Sequence, residues 1–220
     1  MSTARSPFSG FNALAVAAIA TVALVAGLWV GGAIKPAESP PLTLERATVL
    51  GAQARPVTDF SLIDHHGKPF VSKSLRHRWS VLFFGYTFCP DICPVTLSSV
   101  RQAIESLTPE LRAKLNVVFV SVDPSRDTPE RLSEYVTYFH PDFVGVTGTQ
   151  DQLARLARGL GIVYARAKRS GDDPNYLVDH SASMLLVGPD AKLHAVLSAP
   201  HEPALLARNL KAILQRFDPS

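Results

Sequence analysis

Apolar positions along the chain fall into three kinds of run. The first, Ala13 to Ile34 (ALAVAAIATVALVAGLWVGGAI), contains no charged residue. About 20 apolar residues at a 1.5 Å rise cross the hydrocarbon core of a bilayer. The pattern therefore predicts a transmembrane helix over 13–34, with Trp29 near one end where interfacial aromatics sit. The second kind is short and unbroken: Ser80 to Tyr86 (SVLFFGY) and Asn116 to Val122 (NVVFVSV) read as buried parallel strands. Shorter pieces predict strands over 143–146, 183–187 and 193–197, the last two flanking the turn residues Pro189 to Lys192. The third kind has helical spacing. Val95, Leu97, Val100, Ile104 and Leu107 predict a helix over 94–107. Thr128-Pro129-Glu130 opens another that runs to His140, with proline in the first turn. A third, 150–160, is stopped by Gly161, and 202–217 closes the chain. Ahead of these, 60–64 and 69–71 predict a hairpin turning at Gly67.

Strand and helix alternate through the middle, and an antiparallel pair and a helix follow. That order predicts an α/β, thioredoxin-like fold, a central mixed sheet flanked by helices. The layout is then a short cytoplasmic lead (1–12), the transmembrane anchor (13–34), a linker (35–47) extended by Pro36, Pro40 and Pro41, and one domain (48–220). The apolar run exceeds the roughly 7–15 residues of a cleaved signal peptide's core, which favours an uncleaved anchor. The lead holds only Arg5 as a charged side chain, too little for a mitochondrial transit peptide. The expected location is the bacterial inner membrane, crossed once, with the C-terminal domain in the periplasm.

Charge adds an exclusion. The net charge of +3 rests on 22 basic and 19 acidic residues, and Arg5 and Lys35 lie in a segment without acids. The domain is close to neutral and has no electrostatic footprint for nucleic acid.

The chain has two cysteines, in Gly85-Tyr-Thr-Phe-Cys89-Pro-Asp-Ile-Cys93-Pro94, at the junction of the first core strand and its helix. Two cysteines four apart cannot staple a distant loop, so they read as a metal or redox pair. Residues i and i+4 share a helical face, and the spacing also suits a reversible disulfide. A helix N-terminus favours the thiolate, the form that binds metal or attacks disulfides. Two thiolates favour a soft ion, Cu(I) or Zn(II). Zinc in structural sites wants four ligands, and two cysteines with one imidazole point to copper.

Of the seven histidines, His65 and His66 sit at the predicted hairpin tip and read as solvated. His77 lies between Arg76 and Arg78 and reads as exposed. His140 ends a helix, His194 faces outward from its strand, and His201 precedes the last helix. His180, in Val178-Asp-His-Ser-Ala182, lies just before a core strand, where a thioredoxin-like fold brings the chain against the dithiol. Thioredoxins carry a cis-proline there, and this sequence has no proline between Pro174 and Pro189. His180 is a candidate third ligand, with a purely structural histidine as the other reading.

Gly85 to Pro94, Val122-Asp-Pro-Ser-Arg-Asp-Thr-Pro129 and Asp179-His-Ser181, in order and at family-like spacing, resemble the Sco/SenC family of copper-delivery proteins over about 48–217. The resemblance implies one copper per domain, as Cu(I) or Cu(II), held by Cys89, Cys93 and His180. It implies assembly of the dinuclear copper centre of cytochrome c oxidase subunit II, with other periplasmic copper carriers as further partners. Asp123 matches a family acid implicated in partner contact or in tuning the metal; alternatively it ends a strand and caps a turn. Asp127 reads as a residue at the start of the following helix.

Three functions compete on these residues. A copper metallochaperone needs an accessible thiolate site. A thiol–disulfide reductase would attack with Cys89 and resolve with Cys93, but it lacks CxxC spacing and the cis-proline. A thiol peroxidase needs a threonine three residues before its reactive cysteine; Tyr86 stands there, and Thr87 is one position too late.

Overall fold

The computed structural model describes residues 17–24, 26, 42–167 and 176–217. The chain divides into two units, residues 1–40 and 41–220. In the first, residues 17–24 and 26 are helical with exposed side chains. The rest of the expected anchor lies outside the described residues, and no helix among those described is long and apolar enough to cross a membrane.

The second unit starts with β1 (Ala47–Val49) and β2 (Arg55–Pro56), then the hairpin β3 (Ser61–Asp64) and β4 (Pro69–Val71). The core follows as β5 (Trp79–Gly85), α1 (Ile92–Glu105), α2 (Pro109–Ala113), β6 (Leu115–Ser121), α3 (Pro129–Phe139), β7 (Val144–Thr147) and α4 (Gln150–Leu160). β8 (Tyr164–Arg166), β9 (Val178–His180), β10 (Met184–Val187), β11 (Lys192–Leu197) and α5 (Pro203–Phe217) complete it. The main sheet runs β1-β11-β10-β5-β6-β7-β3-β4, with β2 on β11. β5, β6 and β7 are parallel, and the other pairs are antiparallel. β8 and β9 form a separate antiparallel ribbon.

Physical reasons for this order are local. Every residue of β5 is buried, as a central strand covered on both faces requires. Thr128 and Thr149 cap α3 and α4 by accepting from the N–H of Arg131 and Gln152. Gly161 ends α4 in the left-handed conformation at φ 76°. α3 lies so close on β7 that a Cβ at Gly145 would sit 3.0 Å from Leu132 Cβ.

The elements expected within 48–220 are all present, with ends shifted by at most two residues; the sheet begins at Ala47 and α1 at Ile92. Five short elements are additions to the pattern: β1, β2, α2, β8 and β9. Three residues differ from expectation. His65 is buried, because it extends the β3–β7 pairing: its N–H donates to Gly145 O at 2.8 Å and its Nδ1 accepts from Gly145 N at 2.9 Å. His194 is not solvent-facing, because Trp79 and Phe217 cover it, with ring centroids 5.1 and 5.3 Å away. Asp127 does not cap α3, a role Thr128 takes.

Burial holds the imidazoles of His65 and His201 below their ordinary range. A folded-state pKa below the unfolded value contributes stability that is present above the unfolded value and is lost as pH falls. The urea midpoint of the reduced protein should therefore drop between about pH 7.5 and about pH 5. Replacing both groups (His65→Asn, His201→Gln) should flatten that dependence; an unchanged slope would assign it elsewhere.

Candidate metal centre

The site is built where β5 stops. A Cβ at Gly85 would lie 2.6 Å from Cys93 Sγ and 2.8 Å from Phe119 Cε2. The strand thus ends in glycine because the sulfur of the next helix rests on its backbone. Val122 N–H donates to Gly85 O at 2.8 Å, extending the β5–β6 pairing to the rim of the site. Cys93 is the second residue of α1 and fully buried. Cys89 lies in the preceding turn, 9% exposed, with its N–H donating to Tyr86 O at 3.2 Å. Both thiols are free.

The turn is fastened from below. Asp127, fully buried, accepts from Thr87 N–H at 3.0 Å and Thr87 Oγ1 at 2.7 Å, and from Ser121 Oγ at 2.6 Å. Burial raises its carboxyl above the usual range, and these hydrogen bonds oppose the rise. Thr87, one position too late for a peroxidase threonine, has its hydroxyl committed to this acid.

His180 ends β9 and reaches across to the cysteines. Its Nε2 lies 3.4 Å from Cys93 Sγ. The two sulfurs and one imidazole nitrogen all fall within 4.8 Å of one another, and this is the metal-capable cluster among the described residues. Nδ1 lies 3.3 Å from Ser181 O. With the proton on Nδ1, the Nε2 lone pair faces the sulfurs, the tautomer a metal ligand needs. Phe83 and Tyr86 meet the ring edge-on, with centroids 6.1 and 5.9 Å away. Asp123, by contrast, is 3% exposed and its carboxylate is occupied by Tyr176, Ser125 and Arg126.

The cysteines are unequal. The Cys89 sulfur lies within 4.8 Å of the Cys93 sulfur and a His180 ring nitrogen, just ahead of the first N–H groups of α1. These hold the Cys89 thiol far below its ordinary range, led by the Cys93 hydrogen bond. The same bond, then burial, pushes Cys93 well above it. The three residues singled out in the sequence as candidate ligands do lie together, whereas the parts played by Gly85, Asp127 and Tyr176 were not read from it. A glycine closing a buried apolar strand is a readable sign of close approach; the other two carried no such sign.

The reduced protein should carry one thiolate per molecule at pH 7, seen in its far-ultraviolet absorbance, where an ordinary thiol of pKa about 8.5 would be mostly protonated. Cys93→Ala should move that titration upward; an unmoved midpoint would deny the hydrogen bond its role. Gly85→Ala should cost about 1–3 kcal/mol of stability by overpacking against Cys93 and Phe119, measured by urea unfolding. A neutral substitution would show that the sulfur can yield.

Comparison with known proteins places this geometry. Residues 50–215 match the SCO1/SenC family model. A Stutzerimonas stutzeri protein whose name describes it as copper-binding is 41% identical over 172 residues, 78% of this chain and 83% of its own. The crystal structure of Arabidopsis thaliana ScoI with copper bound superposes with a TM-score of 0.65 at 36% identity, covering 72% of this chain and 98% of that one. The solution structure of apo Sco1 from Thermus thermophilus does so with a TM-score of 0.69 at 34% identity, covering 80% and 100%. With its strand–helix core matched from Leu50 to the last turn of α5, the chain belongs to the SCO1/SenC family.

Proposed function

We propose that this protein is a copper metallochaperone that carries one copper ion on Cys89, Cys93 and His180. The observation that carries the reading is the convergence of two sulfurs and one imidazole nitrogen within 4.8 Å. Two soft thiolates and an imidazole select copper over harder ions. Three donors are also too few for a closed tetrahedral zinc site. The family's copper-bound member from Arabidopsis thaliana supports the same ion.

The chain's own groups explain how such cargo would be held and released. Cys89 supplies a preformed thiolate, so capture costs it no deprotonation. Cys93 is fully buried with its sulfur packed over Gly85. His180 is only partly buried and comes from the separate ribbon, so it is the ligand a partner can reach and replace. By family resemblance the recipient is the dinuclear copper centre of cytochrome c oxidase subunit II. The apolar run 13–34 would anchor the domain to the bacterial inner membrane on its periplasmic side.

One observation favours a second reading, a reductase of the recipient's cysteines. Cys89 keeps a little exposure ahead of α1 and Cys93 is fully buried behind it, as in dithiols that attack with one sulfur and resolve with the other. The Cys89 thiolate would attack the partner disulfide, forming a mixed disulfide and releasing one partner thiolate. Cys93, losing its proton, would then attack Cys89 sulfur, forming an internal disulfide and releasing the second.

Titration of the reduced full-length protein in detergent with Cu(I), against a competing chelator, separates these. The metallochaperone reading expects uptake of one equivalent, abolished in Cys89→Ser and in Cys93→Ser. His180→Ala should weaken binding by more than the roughly 10–100-fold cost of losing an outer-shell partner. No uptake by a protein that reduces a dithiol-type disulfide would select the reductase.

A further inference from the structure

β9 carries His180 but does not belong to the main sheet; it pairs only with β8. A two-stranded ribbon is marginal in water by itself. Where His180 sits relative to the cysteines therefore depends on what fastens β9 to the body of the domain. The buried Val178 side chain and a Tyr86 bond to the Val178 backbone hold the strand itself, and Tyr176, two residues before β9, fastens its entry. Its hydroxyl donates to Asp123 Oδ1 at 2.5 Å, and Ser125 Oγ lies 2.8 Å from the same hydroxyl. Asp123 is 3% exposed and is further held by Ser125 Oγ at 2.7 Å and Arg126 Nε at 2.5 Å. A bond to a buried, ionised acceptor is roughly twice as strong as a neutral one. The guanidinium carbons of Arg126 and Arg166 lie 3.6 and 3.9 Å from the centre of the Tyr176 ring, which fixes its plane as well as its hydroxyl.

Asp123 and Asp127 come from one loop and are joined through Ser121, whose Oγ accepts from Asp123 N–H at 3.1 Å and donates to Asp127 at 2.6 Å. Asp127 holds the cysteine turn through Thr87, and Asp123 holds the histidine strand through Tyr176. The loop 121–127 is thus a bracket with one acid on each half of the site.

We propose that Tyr176 is a positioning residue for His180: its bond to Asp123 sets where β9 lies and so holds the imidazole within reach of the two sulfurs. The inference rests on the reading of Cys89, Cys93 and His180 as a copper site and adds a residue that touches no metal.

Two readouts on the full-length protein in detergent test it. The first uses no copper: the imidazole nitrogen resonances of His180 in the reduced, metal-free protein, identified by their loss in His180→Ala. Tyr176→Phe, which keeps the ring between the guanidiniums, should broaden or shift them. The second is a Cu(I) titration against a chelator. Tyr176→Phe should weaken binding by about tenfold, the cost of an outer-shell partner, and should add nothing in the His180→Ala background. Asp123→Asn, which keeps the shape but not the charge, should move both readouts in the same direction by less. Unchanged imidazole resonances overturn the proposal, as does a penalty of the same size in both backgrounds. If the resonances move but the wild type takes up no copper, the positioning role stands and the copper reading fails.

Discussion

A carboxylate without solvent lies under the cysteine turn. Asp127 is fully buried, and a buried carboxyl is tolerated only when its oxygens are satisfied. The groups that satisfy it come from Thr87, after the end of β5, and from Ser121, the last residue of β6. Meeting that requirement forces the turn after β5 to close on the turn after β6. The same closure places Cys89 ahead of the α1 N-terminus and leaves Cys93 against Gly85. Removing any one of these partners would strand a desolvated acceptor or donor, so the turn that holds the cysteines has little freedom to rearrange.

Against that rigid half stands a more loosely attached one. Cys89 and Cys93 are held by the parallel core, whereas His180 arrives on a ribbon outside the main sheet. Two buried sulfurs beside one partly buried nitrogen is an arrangement that can retain a soft ion and still give it up through one replaceable ligand. The unequal acidity of the thiols suits the same task. The adjoining Cys93 thiol favours the thiolate on Cys89, while burial favours the protonated form of Cys93. That inequality also suits disulfide exchange, so the proposed copper site and a reductase draw on one set of atoms.

The site gathers three segments far apart in the chain: 85–93, 121–127 and 176–180. Each brings a different kind of group, in turn sulfurs, acids and an imidazole. Exposed apolar side chains lie along these segments, among them Phe88 and Leu177. Phe88 is flanked by the guanidinium carbons of Arg126 and Arg131, 4.7 and 4.4 Å from its ring centre.

Much of this was legible in the sequence because the signals were local. Unbroken apolar runs mark the buried strands β5 and β6, proline and threonine mark the start of α3, and glycine marks the end of α4. Two cysteines four apart at a strand–helix junction announce their chemistry without a structure. The rest depended on which distant groups meet. His65 looked like a turn residue until β7 offered it Gly145, and His194 looked solvent-facing until α5 laid Phe217 over it. Asp127 looked like a cap, since nothing in its neighbours reveals a threonine forty residues away waiting to donate to it. The sequence by itself determined the core elements and the candidate donors, because periodicity, capping and residue chemistry act over a few positions. Tertiary structure alone decided which polar groups are buried and who satisfies them, because burial is a property of the folded whole.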